Sequence, residues 1–321
     1  MKKISIEEHI MPKEYLEVSR AKRLSPSDDC KRKVQLENIE ERLKDMDEDG
    51  IDMQVLSSVF HHNEFSDASE AAAISRRGND ALYQVIKRYP ERLAGFAAVA
   101  PQEPATAADE LARAVNELGL KGAMIFGHVR GEYLDNQKFW VILERAEKLG
   151  VPIYLHPSMP SDDMIKPFQT YPIMAGSMWG YSVAASLHAM RLICSGVFDK
   201  YPGLKIILGH LGEAIPLWLW RIDQRWQIES QELYKGDVTS NLRKKPSQYF
   251  KENYYVTTSG MFWPPALQFV QSVLGADRML FAVDYPQESS GEAVRSIEAT
   301  SISDGDKEKI FHINAEKLLG L

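Results

Sequence analysis

The sequence predicts an α/β protein made of a single (β/α)8 TIM barrel with extra helices, spanning residues 1–321. Two observations support this fold. Short β-forming segments alternate with helical segments about eight times. In addition, no shift in composition along the chain marks a linker between two domains. The sixth strand shows the pattern clearly, because Ile206, Ile207 and Leu208 form an uninterrupted apolar run of the kind buried inside parallel sheets.

Each predicted strand is a short run of β-branched, aliphatic or aromatic residues bounded by turn residues. In the first, Ile4 and Ile6 alternate with polar neighbours before Glu7-Glu8-His9. The strands are predicted, in order, at residues 3–9, 53–59, 93–100, 122–126, 152–156, 205–210, 254–259 and 279–284.

Each predicted helix has apolar residues at helical spacing and a recognisable stop. The first carries Leu36, Ile39, Leu43 and Met46 and is closed by Gly50. Pro90 stops the second helix, and Thr106 is placed to cap the third. The helices after the first are predicted, in order, at residues 67–89, 106–119, 139–149, 182–197, 214–229, 264–274 and 306–319.

Composition excludes several classes of function. The formal net charge of −7 and the absence of a long Lys/Arg run argue against a nucleic-acid or anionic-membrane surface. No glycine-rich nucleotide loop follows a strand. Cys30 and Cys194 are far apart and lie outside any Cys-x-x-Cys pattern, so we expect reduced thiols in a cytoplasmic protein. The uncharged stretch 167–190 is rich in turn residues, which indicates a loop and a buried helix rather than a membrane span.

Polar side chains lie at the carboxyl ends of four predicted strands. The first strand ends in Glu7-x-His9, a spacing that puts both side chains on one face. His156 ends the fifth strand, His210 the sixth and Asp284 the eighth. Barrel enzymes keep their sites at this mouth. Each residue alone has an ordinary structural interpretation, but buried carboxylates are costly without a cation, so together they predict one divalent metal ion with an open coordination position.

Five other histidines have more ordinary interpretations. His188 lies among apolar helix residues and is interpreted as a hydrogen-bonded core histidine, whereas His312 is expected on the surface of the last helix. His61, His62 and His128 follow the second and fourth strands, where they either line the mouth or face solvent.

Short motifs extend the pattern nearly from end to end and in the order of the strands. With them the chain resembles the amidohydrolase superfamily, and within it the metal-dependent decarboxylases that include the gamma-resorcylate and 2,3-dihydroxybenzoate decarboxylases. The likeness is carried by Ile6-Glu7-Glu8-His9, Leu155-His156-Pro157, Ile207-Leu208-Gly209-His210-Leu211-Gly212-Glu213, Trp220-Arg221-Ile222-Asp223, Thr257-Thr258-Ser259-Gly260 and Asp284-Tyr285-Pro286.

The resemblance implies roles for the matching positions. It implies that one Zn²⁺ or Mn²⁺ is bound by Glu7, His9, His156 and Asp284. His210 would be the unligated catalytic histidine with Glu213 as its partner, and Arg221 would hold substrate or subunit geometry. A homodimer or homotetramer is the implied assembly.

Aromatic residues at the mouth distinguish this chain from the resembling enzymes. Phe126-Gly127 stands where those enzymes tend to carry Asn-Gly, and residues 59–62 replace a more usual Leu-Asn segment. Phe126 and Trp179 are predicted to contact a planar substrate, with Phe262-Trp263 nearby, although packing is the commoner role of such residues. The hydroxyl pattern of the substrate stays open.

The leading functional hypothesis is non-oxidative decarboxylation of a hydroxybenzoate-type acid. The metal would chelate the carboxylate and an ortho-phenolate oxygen, and Asp284 would protonate the ring carbon. His210 with Glu213 would orient the substrate and stabilise charge.

The alternative is metal-dependent hydrolysis of a lactone or amide, with Asp284 as the base on a metal-bound water. Hydrolytic relatives usually begin with His-x-His. Glu7 in the first position adds negative charge to the ion and weakens acidification of bound water, which favours decarboxylation. A barrel kept only as a scaffold is disfavoured, because every expected polar position is filled.

Overall fold

The computed structural model describes residues 1–11, 15, 38–62, 65, 67–236 and 238–321. Eight parallel strands form one sheet in chain order, so the predicted (β/α)8 barrel is confirmed. The strands are β1 Ile4–Ile10, β2 Met53–Ser58, β3 Leu93–Ala98, β4 Ala123–Phe126, β5 Ile153–His156, β6 Ile206–Leu208, β7 Tyr254–Thr257 and β8 Met279–Leu280.

Hydrogen bonds between β1 and the chain that follows β8 close the ring. The backbone N–H of Ile6 donates to the carbonyl of Phe281 (3.1 Å), and that of His9 donates to the carbonyl of Tyr285 (2.7 Å). β8 itself covers only Met279–Leu280, although a strand over 279–284 was predicted. The prediction was too long because residues beyond Leu280 meet β1 through irregular bonds and an isolated bridge rather than a continuous ladder.

Helices surround the sheet, and their ends follow local turn residues. Gly50 and Gly150 close their helices in the left-handed conformation, as their positions predict. The helices of eight or more residues are α1 Ile39–Asp49, α2 Ala68–Arg88, α3 Pro104–Asn116, α4 Trp140–Leu149, α5 Gly180–Cys194, α6 Ile215–Glu232, α7 Pro246–Asn253, α8 Pro264–Leu274 and α9 Ser290–Ala299. Shorter helical turns are Asp162–Ile165, Val197–Lys200 and His210–Glu213, and the C-terminal helical segment combines Asp304–Glu308, Lys309–Ile313 and Asn314–Leu319.

Thr106 does not cap α3, so that prediction was wrong. The helix begins at Pro104, with Glu103 at the N-cap and no side-chain cap bond. Proline suits the first helical turn because its fixed φ is already helical and it has no N–H to leave unpaired. Leu36, predicted on the first helix, lies outside the described residues.

Neighbouring residues on the strands contribute to two separate cores. Val55 and Tyr154 belong to a cluster that fills the interior of the barrel. Leu56 and Leu155, each one residue later, belong to a larger cluster between the strands and the helices. This alternation follows from the pleat of a strand, whose successive side chains point to opposite faces.

A bulge in β1 changes that alternation where the site begins. Ile6 packs in the interior cluster, although strict alternation would put it opposite Glu7 and His9. The register of β1 against β2 shifts between Ser5 and Glu8, where β1 has one more residue than its partner. Bulges of this kind redirect side chains and are common beside active sites. As a result, Glu7 and His9 point to the interior of the barrel, the same side as Ile6.

Two sequence-based expectations concern segments outside the barrel strands. Within the described ranges, none of the helices combines the length and apolar character that crossing a membrane requires. Residues 167–190 form short turns and the first part of α5 instead. Cys194 carries a reduced thiol, whereas Cys30 lies outside the described residues.

Candidate active site

The four predicted metal ligands lie together at the mouth of the barrel. One ligand atom from each of Glu7, His9, His156 and Asp284 falls within 4.8 Å of all the others. The Nε2 atoms of the two histidines are 3.1 Å apart. Asp284 Oδ1 lies 3.0 Å from His9 Nε2, and Glu7 Oε1 lies 3.4 Å from His156 Nε2. Two carboxylates and two imidazoles therefore converge on one point.

The hydrogen bonds around the cluster leave its inner atoms available to an ion. His156 Nδ1 lies 2.7 Å from the carbonyl of Pro157, which can only accept, so Nδ1 carries the proton and Nε2 presents a lone pair. Glu7 Oε1 and Asp284 Oδ1 are buried, and no hydrogen-bond partner outside the cluster satisfies them. A divalent cation would satisfy these atoms, and nitrogen with carboxylate oxygen is a donor set that suits Zn²⁺ or Mn²⁺.

Residues behind the cluster hold two of its side chains in place. Tyr154 donates a hydrogen bond to Glu7 Oε2, and Thr257 Oγ1 lies 3.3 Å from the same oxygen. His9 Nδ1 is 3.0 Å from Ser57 Oγ. Supporting contacts of this kind fix the orientation of metal ligands and tune their basicity.

Burial and mutual proximity shift the pKa values of the cluster. Burial raises the pKa of Glu7 and lowers that of His156 well below its ordinary value. Burial alone would lower the pKa of His9, but the adjacent Asp284 carboxylate raises it. Burial thus opposes the charged forms of these side chains, and a bound cation would stabilise the carboxylates in their charged form.

His210 is presented to the mouth by an unusual turn after β6. Five consecutive residues, 210–214, have positive φ between 50° and 80°. Left-handed backbone at non-glycine residues costs roughly 1–2 kcal/mol each, so the surrounding structure must hold the turn. Ser259 Oγ accepts from the His210 N–H at 3.3 Å, and the Gly212 N–H donates to Gly209 at 2.8 Å.

Glu213 is paired with His210, the neighbour that the family resemblance implies for it. Its Oε1 lies 2.7 Å from His210 Nδ1, and Glu213 is buried. Burial alone would lower the pKa of His210, but the Glu213 carboxylate, together with Glu7 and Asp284, raises it to about 10. These carboxylates therefore favour the protonated form of the His210 imidazole, which lies beside the four clustered residues.

A cavity of about 440 Å³ opens next to the cluster, a usual size for a small-molecule site. Phe126 lines it, together with three of the four clustered residues and His210. The full lining is His9, Val59, His61, Phe126, His156, Pro157, Ser177, Tyr181, Ser182, His210, Asp284, Gln287 and Glu288.

Trp179 and Arg221, the other predicted substrate contacts, are not among the residues that line this cavity. Trp179 is more than half exposed, and Arg221 is exposed on α6. Trp263 is likewise exposed and outside the lining. Their roles in binding stay predictions.

The remaining histidines separate into mouth, core and surface positions. His61 lines the cavity, and burial lowers its pKa to about 4. His62 is buried with Nε2 3.1 Å from the carbonyl of His128. His188 is a core histidine as predicted, because its Nε2 accepts from the Leu134 N–H at 2.9 Å. His312 is partly exposed and lies 3.1 Å from Glu316.

Sequence comparison assigns the chain to a family. The Amidohydrolase family model matches residues 9–321. The chain belongs to the amidohydrolase family. A gamma-resorcylate decarboxylase from Polaromonas sp. is 37% identical over 329 residues, covering 99% of this chain and 98% of the relative.

Two solved structures of decarboxylases are similar to this chain over its whole length. A dihydroxybenzoic acid decarboxylase from Polaromonas sp. with bound manganese and the inhibitor 2-nitroresorcinol superimposes with a TM-score of 0.91 at 37% identity, over 100% of this chain and 97% of that one. A 5-carboxyvanillate decarboxylase from Novosphingobium aromaticivorans, complexed with manganese and 4-hydroxy-3-methoxy-5-nitrobenzoic acid, gives a TM-score of 0.94 at 35% identity, over 100% and 96%.

Sequence reasoning missed several residues of the site. Tyr154 was not predicted, although it precedes His156 by two positions on β5 and alternation puts both on one face. Ser57 of β2 and Tyr181 of α5 were missed as well. Their hydroxyls carry no local signal, because such residues are common on strands and helices that have no site.

Proposed function

We propose that this protein is a metal-dependent, non-oxidative decarboxylase of hydroxybenzoate-type acids. The observation that carries the proposal is the convergence of Glu7, His9, His156 and Asp284 within 4.8 Å beside a cavity of about 440 Å³. The similar decarboxylases with bound manganese support this assignment. Residues 1–321 are proposed to form one catalytic domain, with Mn²⁺ or Zn²⁺ held by these four side chains.

A divalent ion held by these four residues would supply Lewis acidity toward the oxygen atoms of the substrate. The chain's own residues do the rest. Asp284 lies in both the cluster and the cavity lining, so its carboxyl group can reach a substrate as well as an ion. We assign it as the proton donor to the ring carbon that bears the carboxylate.

The proposed reaction balances without a redox partner. Asp284 gives its proton to the ring carbon, and a C–H bond forms there as the ring loses aromaticity. The bond to the carboxylate then breaks, its electron pair returns to the ring, and CO₂ leaves. Asp284 is left as a carboxylate and regains a proton from solvent.

His210 and Glu213 stabilise the charge on the substrate. Since Glu213 favours the protonated form of His210, the imidazolium can donate to an anionic oxygen of the acid or of the phenolate. The left-handed turn that carries His210 fixes this donor without help from the substrate.

Phe126 and His61 form the wall of the cavity nearest the four proposed metal ligands. The Phe126 ring is 4.3 Å from the His156 ring and 4.8 Å from the His61 ring, measured between centroids. A planar aromatic acid suits an edge built from rings. Hydroxyl groups of Ser177, Tyr181 and Ser182 line another part of the same cavity and can accept or donate to ring substituents.

Turnover of a panel of aromatic acids tests the proposal. The protein, loaded with Mn²⁺, is expected to release CO₂ from benzoates that carry an ortho hydroxyl. It should not do so from the matched 3- or 4-hydroxybenzoates, because these lack the second chelating oxygen. Release is measured with labelled carboxylate, and lactones are assayed in parallel.

Two results would contradict the proposal. Hydrolysis of lactones or amides without CO₂ release would favour the hydrolase alternative. Equal CO₂ release after removal of the metal with a chelator would show that the clustered residues do not act through an ion.

We also propose that the protein forms a homodimer or homotetramer in the cytoplasm. Exposed apolar side chains on α6 support association, since Leu217, Trp218 and Trp220 are 65%, 53% and 76% exposed. Arg221 lies beside them, which favours its role in subunit geometry over contact with substrate inside one chain. Light scattering of the purified protein gives the subunit number, and a monomer would exclude the assembly.

A further inference from the structure

Glu8 lies between two of the clustered residues in sequence, but its carboxylate binds a different part of the structure. Glu8 Oε1 accepts from the backbone N–H of Val283 at 3.1 Å, and Oε2 accepts from that of Tyr285 at 3.3 Å. Those two residues flank Asp284. One fully buried carboxylate therefore holds the main chain on both sides of the proposed proton donor.

The main chain at Asp284 needs such support. Its φ is +76°, a conformation that costs a non-glycine residue free energy. Regular pairing of β8 ends at Leu280, and the bulge in β1 interrupts the ladder opposite. In that gap, the Glu8 side chain supplies acceptors to two N–H groups, and unpaired buried N–H groups are costly.

Further polar side chains fix the Glu8 carboxylate and the backbone of β1. Ser5 donates to Glu8 Oε1, and Gln54 Nε2 lies 3.4 Å from Oε2. Arg42 of α1 donates to the carbonyl of His9 and, at 2.8 Å, to Gln54 Oε1. Both Glu8 and Arg42 are buried, so these contacts are shielded from water.

A ring contact joins the same group to the segment after β8. The Arg42 guanidinium lies 4.5 Å from the centroid of the Tyr285 ring, and Tyr285 donates to Asp45 at 2.6 Å. The main-chain segments that carry His9 and Asp284 are therefore tied to each other from behind the cluster.

We infer that Glu8 is a positioning residue, whose buried carboxylate sets the distance of Asp284 from Glu7 and His9 and thereby the affinity of the cluster for its ion. The part that concerns the ion rests on the proposed function. The part that concerns the backbone does not, because it follows from hydrogen bonds within the chain.

The decisive variant is Glu8→Gln, which keeps the size of the side chain but replaces one acceptor oxygen with a donor. Hydrogen exchange of the peptide 281–287, measured in metal-free protein, is expected to accelerate at least about tenfold. The dissociation constant for Mn²⁺, measured by calorimetry, is expected to rise about 10- to 100-fold. The kcat should fall by more than KM rises.

Glu110→Gln is the matched control. Glu110 is another buried carboxylate, hydrogen-bonded to Arg113 and Asn79 in the helix layer. Its loss should lower the melting temperature while leaving exchange of residues 281–287 and Mn²⁺ affinity unchanged. If both variants shift these two readouts equally, Glu8 has only a general structural role and the inference fails.

The outcomes separate the inference from the proposed function. Unchanged exchange in a folded Glu8→Gln protein overturns the inference whatever the wild-type protein catalyses. If the wild-type chain binds Mn²⁺ but releases no CO₂, the proposed function fails while the Glu8 comparison still decides this point. If the wild-type chain binds no metal, the exchange result alone decides it.

Discussion

Buried carboxylates occur in two clusters of this protein, the Glu110 cluster in the helix layer and the cluster at the mouth of the barrel. The hydrogen bonds of the two clusters differ. Around Glu110, Asn79 and Arg113 donate at 2.8 Å and Arg76 at 3.3 Å, so the carboxylate is satisfied by the chain itself. At the mouth of the barrel, Glu7 Oε1 and Asp284 Oδ1 are buried and have no such partner outside the cluster itself. Burying a carboxylate without partners is costly. The contrast indicates that the first cluster serves stability and the second serves a ligand.

The surroundings of each cluster support this distinction. The Glu110 cluster joins α2 to α3 on the outside of the barrel, and its charges are paired with arginines. The cluster at the mouth contains no lysine or arginine and borders a cavity. His210 can carry a positive charge beside this cluster, but its Nδ1 is already paired with Glu213.

The largest expected effect is at Asp284, and it tests the mouth cluster directly. Asp284→Asn removes the transferable proton while keeping the shape of the side chain. Turnover of an ortho-hydroxybenzoate should fall about 10²–10⁴-fold, the usual contribution of a general acid. Steady-state CO₂ release at saturating metal measures this. Activity within threefold of wild type would remove Asp284 from the chemistry.

The next effect concerns the charge on His210. Since Glu213 raises the pKa of His210 to about 10, Glu213→Gln should lower that pKa. The imidazole then loses its proton at a lower pH, so the fall in kcat on the alkaline side should begin at least about one pH unit earlier. A kcat profile from pH 6 to pH 10 checks it, with Glu110→Gln as the control. An unchanged alkaline limb would show that His210 does not act as a cation.

The barrel was predictable because its signals are local. Apolar runs, helical spacing and stops such as Gly50 and Pro90 depend on a few neighbouring residues, and the strands appeared within a few positions of their predicted places. Strand ends were less accurate. The shortness of β8 depends on how the following chain meets β1, which no local pattern records.

The candidate site was predictable only in part for the same reason. His156 ends β5 and Asp284 follows β8, so topology brings them to one mouth. The bulge that turns Glu7 to the interior beside Ile6 arises from pairing with β2 and is invisible in the sequence of β1 alone. The hydrogen bonds from Glu8 to backbone N–H groups were invisible too, because they join residues about 275 positions apart.

A third prediction concerns the Glu110 cluster, whose carboxylate is hydrogen-bonded within the chain. Asn79 donates to Glu110 and to the carbonyl of Ala98, and it accepts from the Ala98 N–H at 2.8 Å. Asn79→Ala should lower the free energy of unfolding by about 1–3 kcal/mol, because buried groups lose their partners. Chemical denaturation measures the loss. Mn²⁺ affinity should stay within twofold of wild type, and a larger change would couple this cluster to the mouth.

The smallest effect tests whether an unpartnered buried atom always indicates a ligand site. His188 Nδ1 is buried without a partner, yet its ring packs at 5.1 Å from Tyr133 and belongs to the core. Burial lowers the pKa of His188 to about 3, below its ordinary value near 6.5. The unfolded chain therefore takes up a proton as the pH falls below about 6.5, whereas the folded chain does not until about pH 3.

Stability is thus lost across that window, by up to about 1.4 kcal/mol per pH unit for this one group. His188→Gln should reduce the loss of unfolding free energy between pH 6.5 and pH 4.5 relative to wild type, although the variant is less stable at neutral pH. Ser296→Ala, which removes a buried but non-titrating group, should leave the slope unchanged. In that case a single buried, neutral histidine with no carboxylate beside it is part of the core. An unpartnered buried atom then indicates a ligand site only where several such side chains converge, as Glu7, His9, His156 and Asp284 do.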